Sequence, residues 1–570
     1  MLAELIIWIY ILIISYIYGW TIVEGISKLF SIKINLETFS LPLIILVGLC
    51  GINTFAASLS LFLNLGWLAQ SIFLLLGLAL GWRMWKKHVL LPSIKLASIP
   101  WWLWVFVLLV FITVLGIGSD NPVNPDTGIY HAQAIRWMET FPVVPGLGNL
   151  HSRFAYNSNW LVINAFFSFS FLGLQSFHVL PGAFVLVAII YFMGGMNKIF
   201  KKEITVTNVI KTLLIPLVFY ILGSQVSSPG TDFPANIWTW ITFLIWFETF
   251  EVEEDSQHNA IRLEEILVFI FSIYLITIKL STLPLLLLSA FIVYKNVRRN
   301  IKIIIKLLML ASIVLAPWFA RNLILSGYWI YPIPLLSVIS PNWDWKIPLD
   351  SVVNEKNVIQ AWARIPRGDV DYVLTMPLLG WLKEWFLNRT LNQRILILGA
   401  SFSPILFIIS SQFVLRKFAF FRYFAYSYLV SYCGLAFWLF GAPDIRFGFG
   451  FVIITFLISG GPLVLWILRK IPHQKFVIDI LLSLIFLYQA SVLIQSAHIK
   501  SLMERVILPA DYGQLPTKPC DIHGYTLLCA EYYNECWYDP FPCIPPGSAN
   551  PQVELRGETL RSGFREINHP

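Results

Sequence analysis

The stretch from Gly118 to Trp160 gathers the residue types that acid–base and phosphate chemistry use: Asp120, Asp126, His131, Arg136, Glu139, His151, Arg153, Asn157 and Asn159. Asp126 sits in the turn-forming run Asn124-Pro125-Asp126-Thr127-Gly128, a composition that favours a tight connection. A carboxylate there can act as a general base toward a hydroxyl, or hold a divalent cation. Asp120, closer to the apolar run before it, is the alternative. The competing role for either is an N-cap on the helix that the pattern predicts from Gly128. His131 and Arg153, with Arg136 and His151, offer donors to a phosphate or pyrophosphate, and the planar fork of arginine suits that geometry. Headgroup contact, or pairing with Glu139, is the plainer use. Asn157 and Asn159 could take sugar hydroxyls, or cap the short apolar helix Trp160–Leu172.

Five more charges stand alone beside apolar runs: Asp232 in SSPGTDFPANIW, Lys279 in ITIKLSTLP, Arg321 in LAPWFARNLILS, and Asp444 with Arg446 in GAPDIRFGFGF. Ionisable groups at membrane depth are costly and usually paired, so each is a site candidate. Structural pairs, Asp232 with Lys279 or Asp444 with Arg446, are the competing explanation.

These residues need a scaffold, and the composition describes it. The chain is 57% hydrophobic, only 13% charged, and has a mean hydropathy of +0.71. Apolar runs long enough to span a bilayer recur from residue 5 to residue 497, about fourteen in all. They include 209–224, 234–250 and 263–278. The reading is an all-α polytopic membrane protein. The net charge of +8 is assigned to cytoplasmic anchors, with no nucleic-acid partner. Basic clusters at 86–95, 198–211, 295–306, 416–422 and 469–475 fall on alternate connectors, which marks those connectors as cytoplasmic. An acidic connector at 251–265 breaks the trend, but the parity on either side agrees. The loops at 119–159 and 321–394, the other lone charges and both termini then lie outside.

No Walker A loop or GxGxxG is present, so a soluble nucleotide is not an expected ligand. GLALG at 77–81 is a small-xxx-small helix contact of low specificity. The tail after Ala497 holds Cys520, Cys529, Cys536 and Cys543, which predicts two exported disulfides, sequential pairing being favoured over a zinc site.

The layout of Asp126 after a span, a helical loop at 128–141, Asp232 at a second entry and basic residues at later outer ends resembles GT-C-type integral-membrane glycosyltransferases. NPDTGIYHAQAIRWMETFPVVPGLGNLHSRFAYNSNW, PDIRFGFGF and VELRGETLRSGFRE look more closely like a group of large bacterial membrane proteins of unassigned function. The first resemblance implies a bacterial inner-membrane enzyme with its active face outside the cytoplasm. It would move a sugar, with inversion, from a polyprenyl-phosphate donor to a glycan, lipid or protein acceptor. Asp126 would be the base, while Arg153, Lys279, Arg321 or Arg446 would hold the leaving phosphate. Residues 1–99 would be accessory helices, 100–497 the GT-C-like core, and 498–570 an extracytoplasmic segment. An O-antigen ligase or polymerase is the alternative, and would depend on arginines and no carboxylate. A glycan flippase would place charges near span centres and show two similar halves.

Overall fold

The computed structural model describes residues 1–33, 39–89, 100–223, 225–251, 261–297, 300–414, 416, 420–472, 474–496, 503–523, 525–532, 534–545 and 552–567. Lys95, Arg298, Arg299 and Lys417 of the basic clusters, and most of the acidic connector at 251–265, lie outside them.

Continuous apolar sequence without internal breaks makes long helices: α1 (Leu2–Phe30), α2 (Leu41–Leu59), α3 (Trp67–Lys86) and α4 (Trp101–Gly118). The polar loop after α4 then folds into α5 (Ala132–Thr140), α6 (Leu147–Leu150) and α7 (Asn159–Phe166). The bundle resumes with α8 (Leu180–Phe200), α9 (Val206–Leu222), α10 (Asp232–Glu251), α11 (Leu263–Ile278), α12 (Leu286–Val297) and α13 (Ile301–Ser326). A second excursion, after α13, carries α14 (Leu349–Arg364), α15 (Val370–Thr375) and α16 (Leu378–Leu387). The last set is α17 (Leu391–Ser401), α18 (Ser403–Phe413), α19 (Phe421–Gly441), α20 (Ile445–Lys470) and α21 (Gln474–Ser496).

Ten helices among the described residues are long and apolar enough to cross a membrane, or eleven if α17 and α18, bent by 54°, count as one span. The chain is a multi-pass membrane protein in its helices. The other three runs of the expected fourteen form α9, α10 and α11, which fall short of that length or apolarity. The physical reason is their position. Nearly every residue of α10 and α11 is buried by other helices, so neither must present an apolar face to lipid. Thr239, Thr242 and Thr249 of α10 return their hydroxyls to the carbonyls of Ala235, Trp238 and Ile245, which satisfies them inside an apolar bundle. By contrast α3, α4 and α21 expose Leu74, Leu75, Leu78, Trp101, Leu108, Leu484 and Leu487, as lipid-facing helices do.

The first helices are built into the core. Trp8 donates to the Val179 carbonyl at 2.7 Å, and Asn53 to the Tyr274 hydroxyl at 2.6 Å. The closest helix crossing is that of α1 and α2, not the GLALG segment. A Cβ on Gly19 would stand 1.9 Å from the Ile44 carbonyl oxygen, and one on Gly48 1.8 Å from that of Ser15. Gly77 meets only the tip of Ile14.

The tail is a small sheet, β1 (Thr517–Ile522), β2 (Tyr525–Ala530) and β3 (Cys543–Ile544), plus the hairpin β4 (Val553–Leu555) with β5 (Phe564–Glu566). β1 pairs antiparallel and β3 parallel with β2. Cys520 bonds Cys529, and Cys536 bonds Cys543. Replacing Cys536 and Cys543 by serine should cost the tail about 2.5 kcal/mol, the closure entropy of so short a loop. Faster trypsin cleavage after Ala497, with the Cys520–Cys529 bond intact, would measure it.

Candidate functional site

α10, α11 and α20 end at the same level of the bundle, and their terminal residues carry the charges. Asp232 opens α10, Lys279 closes α11, and Asp444 is the N-cap of α20, accepting from the Arg446 amide at 3.0 Å. Asn236 fixes this junction: its Nδ2 donates to the Arg446 carbonyl at 2.7 Å and its Oδ1 accepts from Gly450 at 2.8 Å. Lys279 pairs with Asp232, and its ammonium lies 3.8 Å from the Phe447 ring centre.

The loop after α4 brings Asp126 to this junction. Asn124, not Asp126, serves the local turn. Asn124 Oδ1 accepts from the Asp126 amide at 2.9 Å, and its Nδ2 donates to Gln225 at 2.5 Å. Asp126 makes no side-chain cap, so its carboxylate is free to reach outward. One oxygen lies 3.2 Å from Arg446 Nη1 and the other 3.6 Å from Arg153 Nη1. Arg446 is the hub: its Nη1 is also 3.8 Å from Asp232, and its Nη2 is 3.2 Å from Asp444. Six of the anticipated residues therefore meet, Asp126, Arg153, Asp232, Lys279, Asp444 and Arg446. They come from three helix ends and two turns of the loop after α4. The cluster balances three carboxylates against three cations. It is not sealed, with Arg446 36% and Arg153 31% exposed.

Other anticipated residues stand elsewhere. Asp120 pairs with Arg505 of the tail at 3.0 Å. Arg321 is buried against Asn157, Ser60 and Met138. Asn157 and Asn159 face protein: Asn157 donates to the Trp318 carbonyl at 2.8 Å and Asn159 to the Thr277 hydroxyl at 3.0 Å. No group of three His, Cys, Asp or Glu side chains converges as metal ligands among the described residues. Asp126, Asp232 and Asp444 each have a protein cation instead. They do not form a metal set.

His131 lies one turn beyond Asp126, on a π-helical turn, Thr127–His131, a geometry common at functional sites. Its Nδ1 is 3.2 Å from the Thr127 hydroxyl. Burial pushes it down to about 4, outweighing Asp126 and Asp232. Burial likewise pushes His151 to about 3 and His178 to about 4. Unfolded histidines protonate near 6.5. Below that pH the unfolded chain binds more protons, so stability should fall as pH drops from about 6.5 through 4. The melting temperature of His131→Gln protein should fall less steeply across that window than wild type.

Sequence reasoning missed the supports. Tyr130 faces Arg153, whose guanidinium lies 5.8 Å from the ring centre. Tyr156 binds Glu355 of α14. Trp385 of α16 donates to the Pro443 carbonyl at 2.6 Å, beside Asp444. The second excursion is thus fastened at two points around the cluster. On the other side the tail grips α5. Gln133 donates to the carbonyls of Trp537, Tyr538 and Pro540 and accepts from the Cys543 amide. The amides of Cys536 and Trp537 bind the Gly128 carbonyl at 2.8 and 2.9 Å. Gly128 must lack a side chain, because a Cβ would meet the Trp537 ring at 2.9 Å.

Residues 1–453 match a protein family described as Domain of unknown function (DUF8201), and the chain belongs to it. The match includes all six clustered residues. No curated protein and no solved structure matches the chain.

Proposed function

We propose that this member of the family is a membrane transferase that moves a sugar from a polyprenyl-phosphate donor to a hydroxyl acceptor on the outer face of a bacterial inner membrane. The reading holds both termini to be on that face, together with the ionic cluster. The observation that carries it is the convergence of Asp126 with Arg446 and Arg153 at one part-exposed junction. A base and an anion clamp must reach the same sugar unit, and proximity of this kind is what a two-substrate transfer needs.

In this scheme Asp126 takes the proton of the acceptor hydroxyl. The acceptor oxygen bonds to the anomeric carbon as the carbon–oxygen bond to phosphate breaks, and the phosphate leaves with the electron pair. Arg446 and Arg153 stabilise that growing charge. Lys279 holds Asp232 and keeps Arg446 in place. α14 and α16 would limit water access, without which hydrolysis competes with transfer.

The balanced charges support a second reading, a structural knot that only fastens three helix ends. Reconstituted protein given a panel of polyprenyl-phosphate sugars and a lipid-linked glycan acceptor separates the two. Transfer is expected with at least one donor. If no donor is consumed, and Arg153→Gln lowers only the melting temperature, the knot is the better account. The ligase alternative would show transfer that survives Asp126→Asn and fails in Arg446→Gln.

A further inference from the structure

Arg321 carries its charge into packed protein and meets no acid there. It is 3% exposed. Nε donates to Asn157 Oδ1 at 2.9 Å, Nη1 donates to Ser60 Oγ at 2.6 Å, and Nη2 lies 3.3 Å from Met138 Sδ. All three partners are neutral, and among the described residues no carboxylate pairs with it. Arg153, Lys279 and Arg446 each have one. The partners are rigidly set. Asn157 and Trp318 exchange hydrogen bonds, 2.8 Å from Asn157 Nδ2 and 2.7 Å from Trp318 Nε1. Ser60 spends its proton on the Ala57 carbonyl at 2.7 Å, which leaves its oxygen facing the guanidinium. Ser60 is also the C-cap of α2, and a helix C-terminus offers about half a negative charge. The remainder of the cation is uncompensated, a costly state in a protein interior.

Arg321 lines a cavity of about 30 Å³ together with Met138, Leu161, Leu325, Asn157 and Ser158. That space admits roughly one or two water-sized species. We propose that Arg321 and this cavity bind one small monovalent anion of chloride size. Its largely apolar wall favours a singly charged, weakly hydrated ion over a multivalent one such as phosphate or sulfate. The site would tie α2, α5, the outer loop and α13 together, because Ser60, Met138, Asn157 and Arg321 come one from each. This inference does not rest on the transferase reading, since its readout is stability.

The test is thermal unfolding of the detergent-solubilised protein in gluconate, chloride, bromide or sulfate at matched ionic strength. Raising chloride or bromide to about 150 mM should lift the melting temperature by about 2 °C or more, and sulfate should not. Arg321→Met should remove the halide dependence. Should that variant fail to fold, a bromide-soaked crystal of the wild type keeps the question open to an answer, with an anomalous peak expected beside the Arg321 guanidinium. Equal melting temperatures in gluconate and in the halides, or no bromide peak there, would overturn the proposal.

Discussion

Asp126→Asn is expected to lower the transfer rate by about 10³-fold or more, because a positioned base contributes about 10² to 10⁴ and its loss also misplaces the acceptor. The amide keeps the shape of the carboxylate and can still accept from Arg446, which lies 3.2 Å away. Both arginines around Asp126 are about a third exposed, so the lost ion pairs should cost no more than about 1 kcal/mol of stability. The matching control is Asp120→Asn. It weakens the contact with buried Arg505, and should loosen the tail while leaving the rate within about threefold of wild type. Turnover of purified lipid-linked sugars, set beside melting temperatures, reads both effects. Near wild-type turnover in Asp126→Asn would remove the base from this site.

Arg446→Met should fail in both respects. Arg446 alone touches Asp126, Asp232 and Asp444. Without it three carboxylates crowd one junction with only Lys279 and Arg153 to offset them. A stability loss of about 2 kcal/mol is expected, the low end for stripping one partner from a buried network, since Arg446 is partly exposed. Activity should be undetectable. Arg446→Lys tests the geometry: an ammonium restores the charge but cannot fork to three acceptors. It should recover much of the melting temperature and little of the rate. Full recovery of the rate would mean that charge alone is needed.

Four of the clustered residues, Asp232, Lys279, Asp444 and Arg446, were visible in the sequence as lone charges beside long apolar runs, where an unpaired ion would be too costly to persist, and Asp126 and Arg153 as members of the polar stretch Gly118–Trp160. That argument offered the pairs Asp232–Lys279 and Asp444–Arg446, both of which the structure holds, but gave no sign that Asp126 reaches Arg446, 320 residues on. It also grouped Arg321 with the rest. Arg321 has the same sequence setting, but neutral Asn157 and Ser60 enclose it, and such residues give no signal at a distance. Asp120 was ambiguous for a similar reason, its partner lying in the tail. Of the fourteen expected spans, ten or eleven have helices among the described residues that meet the length and apolarity of a span, and α10, rich in Trp and Thr and wrapped by other helices, is one that does not. The pairing of cysteines close in sequence was legible from spacing. The docking of the tail on α5 was not, since it depends on uncharged Gln133 and on backbone carbonyls.

The grip of residues 505–543 on the start of the chain also sets an order of manufacture. The Met1 amine donates to the Arg505 carbonyl, 504 residues on, and the Leu2 and Ala3 amides bind Val506 and Ile507. Gln133 waits 405 residues for Tyr538. At ribosomal speeds of 5–20 residues per second, Asp126 is made roughly 20 to 60 s before Arg446 exists. During that interval, of the two arginines that pair with its carboxylate, only Arg153 has been made, and α5 has no tail to rest on. The nascent protein therefore carries its ionic junction open until α20 has been made, and the tail's contacts with α5 and with residues 1–3 form after that.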